Sequence, residues 1–177
     1  MSKVLINFGH RKPQASKFNL PLLEAVRDIP GVTVNVLAEH YPDLNIDGER
    51  ERALLLEHDV IVLQFPFYWY STPAIVKEWQ DETLTFGFAY GPGGDRLRGK
   101  SLLVAMTTGG PAEAYQPGGY NRYTFEQLLL PLHATANLAG MEWLTPFVAA
   151  GVMRKTPAEF AANVADYRAR IASLTHD

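Results

Sequence analysis

There is no cysteine anywhere in the 177-residue chain. Disulfides and thiolate metal ligands are therefore excluded, and any redox chemistry must belong to a bound group. The lack of disulfides fits a reducing, cytoplasmic setting. Also missing is any apolar run near the roughly 20 residues that a bilayer-spanning helix needs. The first residues, Met1 to Phe8, show no long apolar segment with a small-residue cleavage site, so no signal peptide is expected. Positive charge is not in excess: 16 Lys and Arg stand against 19 Asp and Glu, a net charge of −3, which argues against a nucleic-acid partner. The five histidines, His10, His40, His58, His133 and His176, have no ligand spacing, and no metal site is expected. Repeats, charge runs and linkers are absent as well, so residues 1–177 read as one domain.

What is present is an alternation of apolar runs with amphipathic stretches, the pattern of β-α-β units in a parallel sheet. Strands are expected at Lys3 to Phe8, Thr33 to Leu37, Val60 to Phe65 and Ser101 to Met106, with a short fifth strand near Met141 to Val148. Helices are expected from a Ser16 cap to a stop before Pro30-Gly31, from Asp47-Gly48, from Pro73 to about Phe86, and from about Tyr123 to Leu138. A last helix starts at the Thr156-Pro157-Ala158-Glu159 capping box. Five glycines between Gly87 and Gly99 mark a long surface loop. Five such units fit an α/β, flavodoxin-like doubly wound five-stranded parallel sheet, order 2-1-3-4-5, with helices on both faces. The loops after strands 1, 3 and 4 should then share one cleft.

Those three loops have unusual compositions. The first, Gly9 to Asn19, joins a strand end to a helix N-terminus, where free N–H groups and the helix dipole favour a phosphate; Ser16, Asn19 and His10 add polar groups. It has the glycine pattern of neither a P-loop nor a dinucleotide fingerprint. After strand 3, Phe67-Tyr68-Trp69-Tyr70 sets consecutive rings at the strand end, between Pro66 and Pro73. Successive side chains point in different directions, so these rings cannot all enter one core, and they suit the wall of a flat ligand. After strand 4, Thr107-Thr108-Gly109-Gly110 offers hydroxyls and a glycine pair that admits close approach, and Tyr115 has a phenol able to donate a proton. Taken singly, each feature is more often an ordinary turn, cap or core corner.

The segments Ser16-Lys17-Phe18-Asn19, Phe65 to Trp79, Gly87-Phe88-Ala89-Tyr90-Gly91 and Thr107-Thr108-Gly109-Gly110, in this order, resemble the NAD(P)H dehydrogenase (quinone) family. Tyr41 to Asp47 is similar to the bacterial branch that contains ancillary oxidoreductases of glutathione-regulated potassium efflux and general stress proteins. The resemblance runs from about Leu5 to Phe147 and implies a homodimer that binds flavin, FMN in this branch with FAD as the alternative. It implies that His10, Ser16, Lys17, Phe18 and Asn19 hold the phosphate and ribityl end. Phe67, Tyr68, Trp69 and Tyr70 would take the ring, and Thr107, Thr108, Gly109 and Gly110 its polar edge. Tyr115 matches the family's active-site tyrosine, whereas Asn121 stands where the animal enzymes carry a histidine. The implied activity is two-electron, ping-pong reduction of quinones by NAD(P)H. Two other readings compete: a flavin-binding regulatory subunit docked on a potassium-efflux transporter at the inner membrane face, and a one-electron carrier, which is usually more acidic. A phosphoacceptor receiver would need an aspartate where Gln64 and Phe65 stand.

Overall fold

Strand β1 (Val4–Phe8) is apolar at four of its five positions and buried at all five. Burial on both faces is what a continuous apolar run demands, and its neighbours provide it. β1 lies between β2 (Val32–Val36) and β3 (Val60–Pro66), and all are parallel. β4 (Ser101–Thr107) pairs with the far side of β3, so the sheet runs β2-β1-β3-β4-β5, a flavodoxin-like doubly wound order. The computed structural model describes residues 1–176, and among them no helix is long and apolar enough to cross a membrane.

Alternation along the strands feeds two separate cores. Val4, Ile6, Phe8 and Val62 point to the layer that contains Leu22, Leu23, Tyr167 and Ile171, from α1 (Asn19–Glu24) and α7 (Pro157–Leu174). Leu5, Ile61, Leu63 and Phe65 point the opposite way, to Leu55, Ile75, Val76 and Trp79 of α3 (Gly48–Glu57) and α4 (Ala74–Thr83). The Asp47 side chain caps α3 by accepting from Arg50 N–H at 3.0 Å, and Thr156 and Glu159 form the expected capping box on α7.

The structure differs from the sequence expectations at the sheet edges. β2 ends at Val36, because Leu37 is buried as the first residue of a four-residue helix, α2 (Leu37–His40). The long helix expected to end at Leu138 is broken at Leu129 into α5 (Phe125–Leu128) and α6 (Leu130–Leu138), since Pro131 lacks the N–H that would continue the ladder. The fifth strand is two short pieces, β5 (Glu142–Trp143) and β6 (Phe147–Ala149), with Pro146 in the gap. Both pair with β4, so the five-strand path carries a sixth segment. α4 stops at Thr83, short of Phe86. The glycine-rich loop that follows is pinned by the buried Ala89 and Leu97.

One carboxylate is fully inside. Glu51 of α3 has no exposed surface and sits between α3, α4 and β2. Its Oε1 accepts from the Tyr41 hydroxyl at 2.7 Å and from the Arg50 guanidinium. Its Oε2 accepts from Asn35 Nδ2 and Trp79 Nε1, each at 2.8 Å. A buried charge is tolerable only when paired and fully hydrogen-bonded, and four donors meet that condition. Burial, and then the bond to Glu51, push the Tyr41 hydroxyl up to about 12.

Glu51→Ala should therefore cost about 1–3 kcal/mol, read by urea unfolding, because it leaves the buried Trp79 Nε1–H without its acceptor and removes one partner each from Tyr41, Asn35 and Arg50. A folded-state value raised above the ordinary tyrosine value means stability fully present below about pH 10 and lost as pH rises toward 12. Tyr41→Phe should make that alkaline loss shallower. An unchanged profile would contradict the assignment to Tyr41.

Candidate functional site

The carboxyl ends of β1, β3 and β4 lie side by side, with Phe8 opposite Gln64 and Pro66 opposite Thr107. The three loops that leave those ends therefore start on successive strands, with the β3 loop between the other two, at the topological switch point of the sheet. A buried line of polar groups fixes their starting points. The Tyr167 hydroxyl of α7 donates to Gln64 Oε1 at 3.0 Å, and Gln64 Nε2 donates to the Asn19 carbonyl at 2.9 Å. Asn19 Nδ2 then donates to Thr107 Oγ1 at 2.7 Å, which ties the first turn of α1 to the end of β4. Complete burial drives the Tyr167 hydroxyl strongly upward, so it stays protonated as the donor.

In the first loop, Gly9 N–H donates to the Gln64 carbonyl at 2.9 Å, and a Cβ at Gly9 would lie 2.0 Å from Val76 Cγ2, so only glycine fits. The His10 ring is largely buried, stacks 6.1 Å from Phe8 and meets Tyr68 edge-on at 6.4 Å. Its Nδ1 accepts from Lys12 N–H at 3.0 Å, which puts the neutral ring's proton on Nε2, and burial lowers its pKa. Ser16 is not the helix cap expected of it: Phe18 holds the N-cap position of α1, and Ser16 Oγ accepts from Asn19 N–H at 3.1 Å from the turn before it. The Lys17 side chain is exposed, and the Phe18 ring packs edge-on against Phe160 of α7 at 5.3 Å, so Phe18 has only its backbone to offer a ligand.

After β3, Tyr68 and Ser71 exchange backbone hydrogen bonds at 3.1 and 3.0 Å, closing a two-residue turn. Its central residues, Trp69 at φ 49° and Tyr70 at φ 63°, are both left-handed, a conformation that bulky side chains rarely adopt. The turn leaves Trp69 92% exposed and Tyr68 and Tyr70 each 47% exposed. Phe67, by contrast, is partly buried against the core, and its N–H donates to the Thr107 carbonyl at 2.9 Å. Strain of this kind costs about 1–3 kcal/mol per residue and concentrates at ligand sites.

After β4, the Thr107 and Thr108 hydroxyls are both engaged internally. Thr107 accepts from Asn19, and Thr108 Oγ1 donates to the Gly110 carbonyl at 2.8 Å. Gly109 is exposed. Gly110 lets the Tyr120 and Tyr115 side chains come close, since a Cβ there would lie 2.9 Å from the Tyr120 hydroxyl and 3.2 Å from Tyr115 Cε2. Tyr115 stacks on Phe125 at 4.2 Å, and burial raises its pKa, which keeps the phenol protonated.

A cavity of about 220 Å³ gathers Phe67, Trp69, Tyr70, Gly110 and Tyr115, together with Tyr120 and Asn121. The first-loop residues are not among its lining and stand to one side, joined to the turn through His10 and Tyr68. Tyr120, Gln64 and Tyr167 were not anticipated as part of the site. Gln64 had a signal, as the one amide in an apolar strand run; Tyr120 gave none beyond being a ring in a glycine-rich loop.

Comparison with known proteins agrees with this fold. Residues 2–173 match the family model described as flavodoxin-like fold, and the chain belongs to that family. Among similar proteins, the glutathione-regulated potassium-efflux system ancillary protein KefG of Cronobacter sakazakii is 45% identical over 92% of this chain and 88% of its own. The crystal structure of general stress protein 14 from Treponema denticola, in complex with FMN, superposes at a TM-score of 0.91 with 32% identity, covering 97% and 99% of the two chains. An NADPH-quinone reductase from P. pentosaceus gives a TM-score of 0.86 at 30% identity over 94% and 95%.

Gln64→Leu removes both bonds of the central amide, leaving the Tyr167 hydroxyl without its acceptor and cutting the tie from β3 to the Asn19 carbonyl. The expected loss is about 1–3 kcal/mol in unfolding free energy. Tyr167→Phe, which deletes one partner but leaves Gln64 bonded to Asn19, should cost less. Equal stability of wild type and Gln64→Leu would show that the line of polar groups contributes nothing.

Proposed function

We propose that the protein is an FMN-dependent NAD(P)H oxidoreductase that reduces quinones and similar flat acceptors by a two-electron ping-pong cycle. The observation that carries this reading is the cavity at the strand ends, walled by Trp69, Tyr70, Tyr115 and Tyr120 and kept open at Gly110 by the absence of a Cβ. A flat ring fits such a cradle. Asn19 Oδ1, buried at the first turn of α1 without a partner, adds an unused acceptor on the side where a ribityl chain would lie. The FMN bound by the general stress protein relative, and the activity named for the quinone reductase relative, support the same reading.

In this reading the Ser16 to Asn19 turn and His10 Nε2–H bind the phosphate and ribityl end. Phe67 to Tyr70 flank the ring, and the Thr107 to Gly110 backbone meets its polar edge. FMN would supply the hydride acceptor and donor that a chain without cysteine lacks. The protein orients each substrate against the open side of the cavity in turn, so NAD(P)H must leave before the acceptor enters. The Tyr115 phenol, protonated through neutral pH, donates a hydrogen bond or proton to an acceptor oxygen. FMN is favoured over FAD because the first loop offers one helix start for one phosphate. The potassium-efflux relative supports a second reading, in which the chain is an ancillary subunit of such a transporter at the inner membrane face and turnover is secondary. A homodimer in the cytoplasm accommodates both.

Purified protein supplied with FMN should oxidise NAD(P)H when a quinone is added and give parallel double-reciprocal lines. No flavin binding and no quinone-dependent oxidation would sink the proposal, whereas activity that appears only with a transporter present would favour the ancillary reading. Tyr115→Phe should lower kcat for quinone reduction about 10²-fold while FMN affinity stays near wild type. In the wild type, any alkaline fall in rate due to this phenol should lie above the ordinary tyrosine value.

A further inference from the structure

We infer that Asn121 is a positioning residue that acts through Tyr70, latching the aromatic turn to the loop after β4 and so setting the width of the ring cavity. This rests on the flavin reading of that cavity. The Tyr70 hydroxyl donates to Asn121 Oδ1 at 2.9 Å, a bond between residues 51 positions apart that both line the same cavity. Asn121 is itself fixed by its backbone, with its N–H donating to the Ala114 carbonyl at 3.1 Å and its carbonyl accepting from Tyr123 N–H at 2.8 Å. The acceptor is therefore stationary, and the turn is the part that it holds.

The turn needs holding. Its two central residues are left-handed without being glycine, and inside the turn only the Tyr68–Ser71 backbone pair opposes relaxation. Trp69 is almost fully exposed and contributes little packing there. Of the turn's side chains, Tyr70 is the one hydrogen-bonded to the facing loop. Loss of that bond frees the backbone to relax away from φ 63°, and the Tyr70 ring then leaves the cavity wall. Asn121 also adjoins the Tyr115 side chain, so Tyr70→Phe, which leaves that contact intact, isolates the latch.

The test is a double-mutant cycle on Tyr70→Phe and Asn121→Ala, with Asn121→Asp as the conservative variant that keeps an oxygen acceptor. Two quantities are read: hydrogen exchange at the Tyr68 and Ser71 amides without flavin, and the Kd for FMN. Each single variant should speed exchange at both amides and raise the FMN Kd about two- to tenfold, the range of one net hydrogen bond. The double variant should be no worse than either single one, and Asn121→Asp should retain near-wild-type protection. With the Tyr70→Phe holoenzyme, which leaves the Asn121–Tyr115 contact in place, the change should appear in KM for the quinone more than in kcat. Additive effects, or unaltered exchange at Tyr68 and Ser71, would overturn the latch. Amide exchange requires no flavin, so a chain that bound no FMN would refute the flavin reading while the latch is still judged on its own data.

Discussion

The hydrogen-bonded line Tyr167–Gln64–Asn19–Thr107 is the constraint on which the rest of the site depends. Parallel strands end where their ladders run out, and the loops beyond have no sheet to hold them. Here the last turn of that support comes from side chains, because Gln64 reaches α1 and α7 while Asn19 reaches β4. All the groups lie out of water, so each bond is worth more than on the surface and each loss is costly. The switch point of the sheet thereby becomes a rigid platform of four elements.

On that platform the structure places a strained feature. Trp69 and Tyr70 sit in backbone conformations that cost free energy, and the tight turn between β3 and α4 pushes their rings outward where a core would have drawn them in. Local strain supported by a rigid base is how a binding wall stays in place before its ligand arrives. On the opposite face, the Glu51 cluster does a parallel job for α3 and α4, joining them to β2 through Asn35 and Trp79. The two polar clusters flank β1 and β3 from different layers, since Asn7 and Gln64 point to opposite faces of the sheet.

The sheet centre was legible because β1, β3 and β4 are apolar throughout, a pattern that burial on both faces requires. The edges were less so. Pro146 and Pro131 interrupt segments whose apolar content continues past them, so one strand became two and one helix broke. The exposure of the aromatic turn was readable because three rings in sequence cannot share a core. Glu51 was not readable, for it stands in Gly48-Glu49-Arg50-Glu51-Arg52, a run that looks like a solvated helix face. Only tertiary placement makes that carboxylate a buried acceptor. Asn19 and Thr107 also bind each other, a link that residues 88 positions apart do not announce in the sequence.

A crystal structure of the protein grown with FMN tests the account most directly. The account predicts the phosphate at the Ser16 to Asn19 turn, with the ring in the cavity between Tyr70 and Tyr115 and the Trp69–Tyr70 turn unmoved. FMN bound elsewhere, or a turn that changes conformation to receive it, would contradict the account.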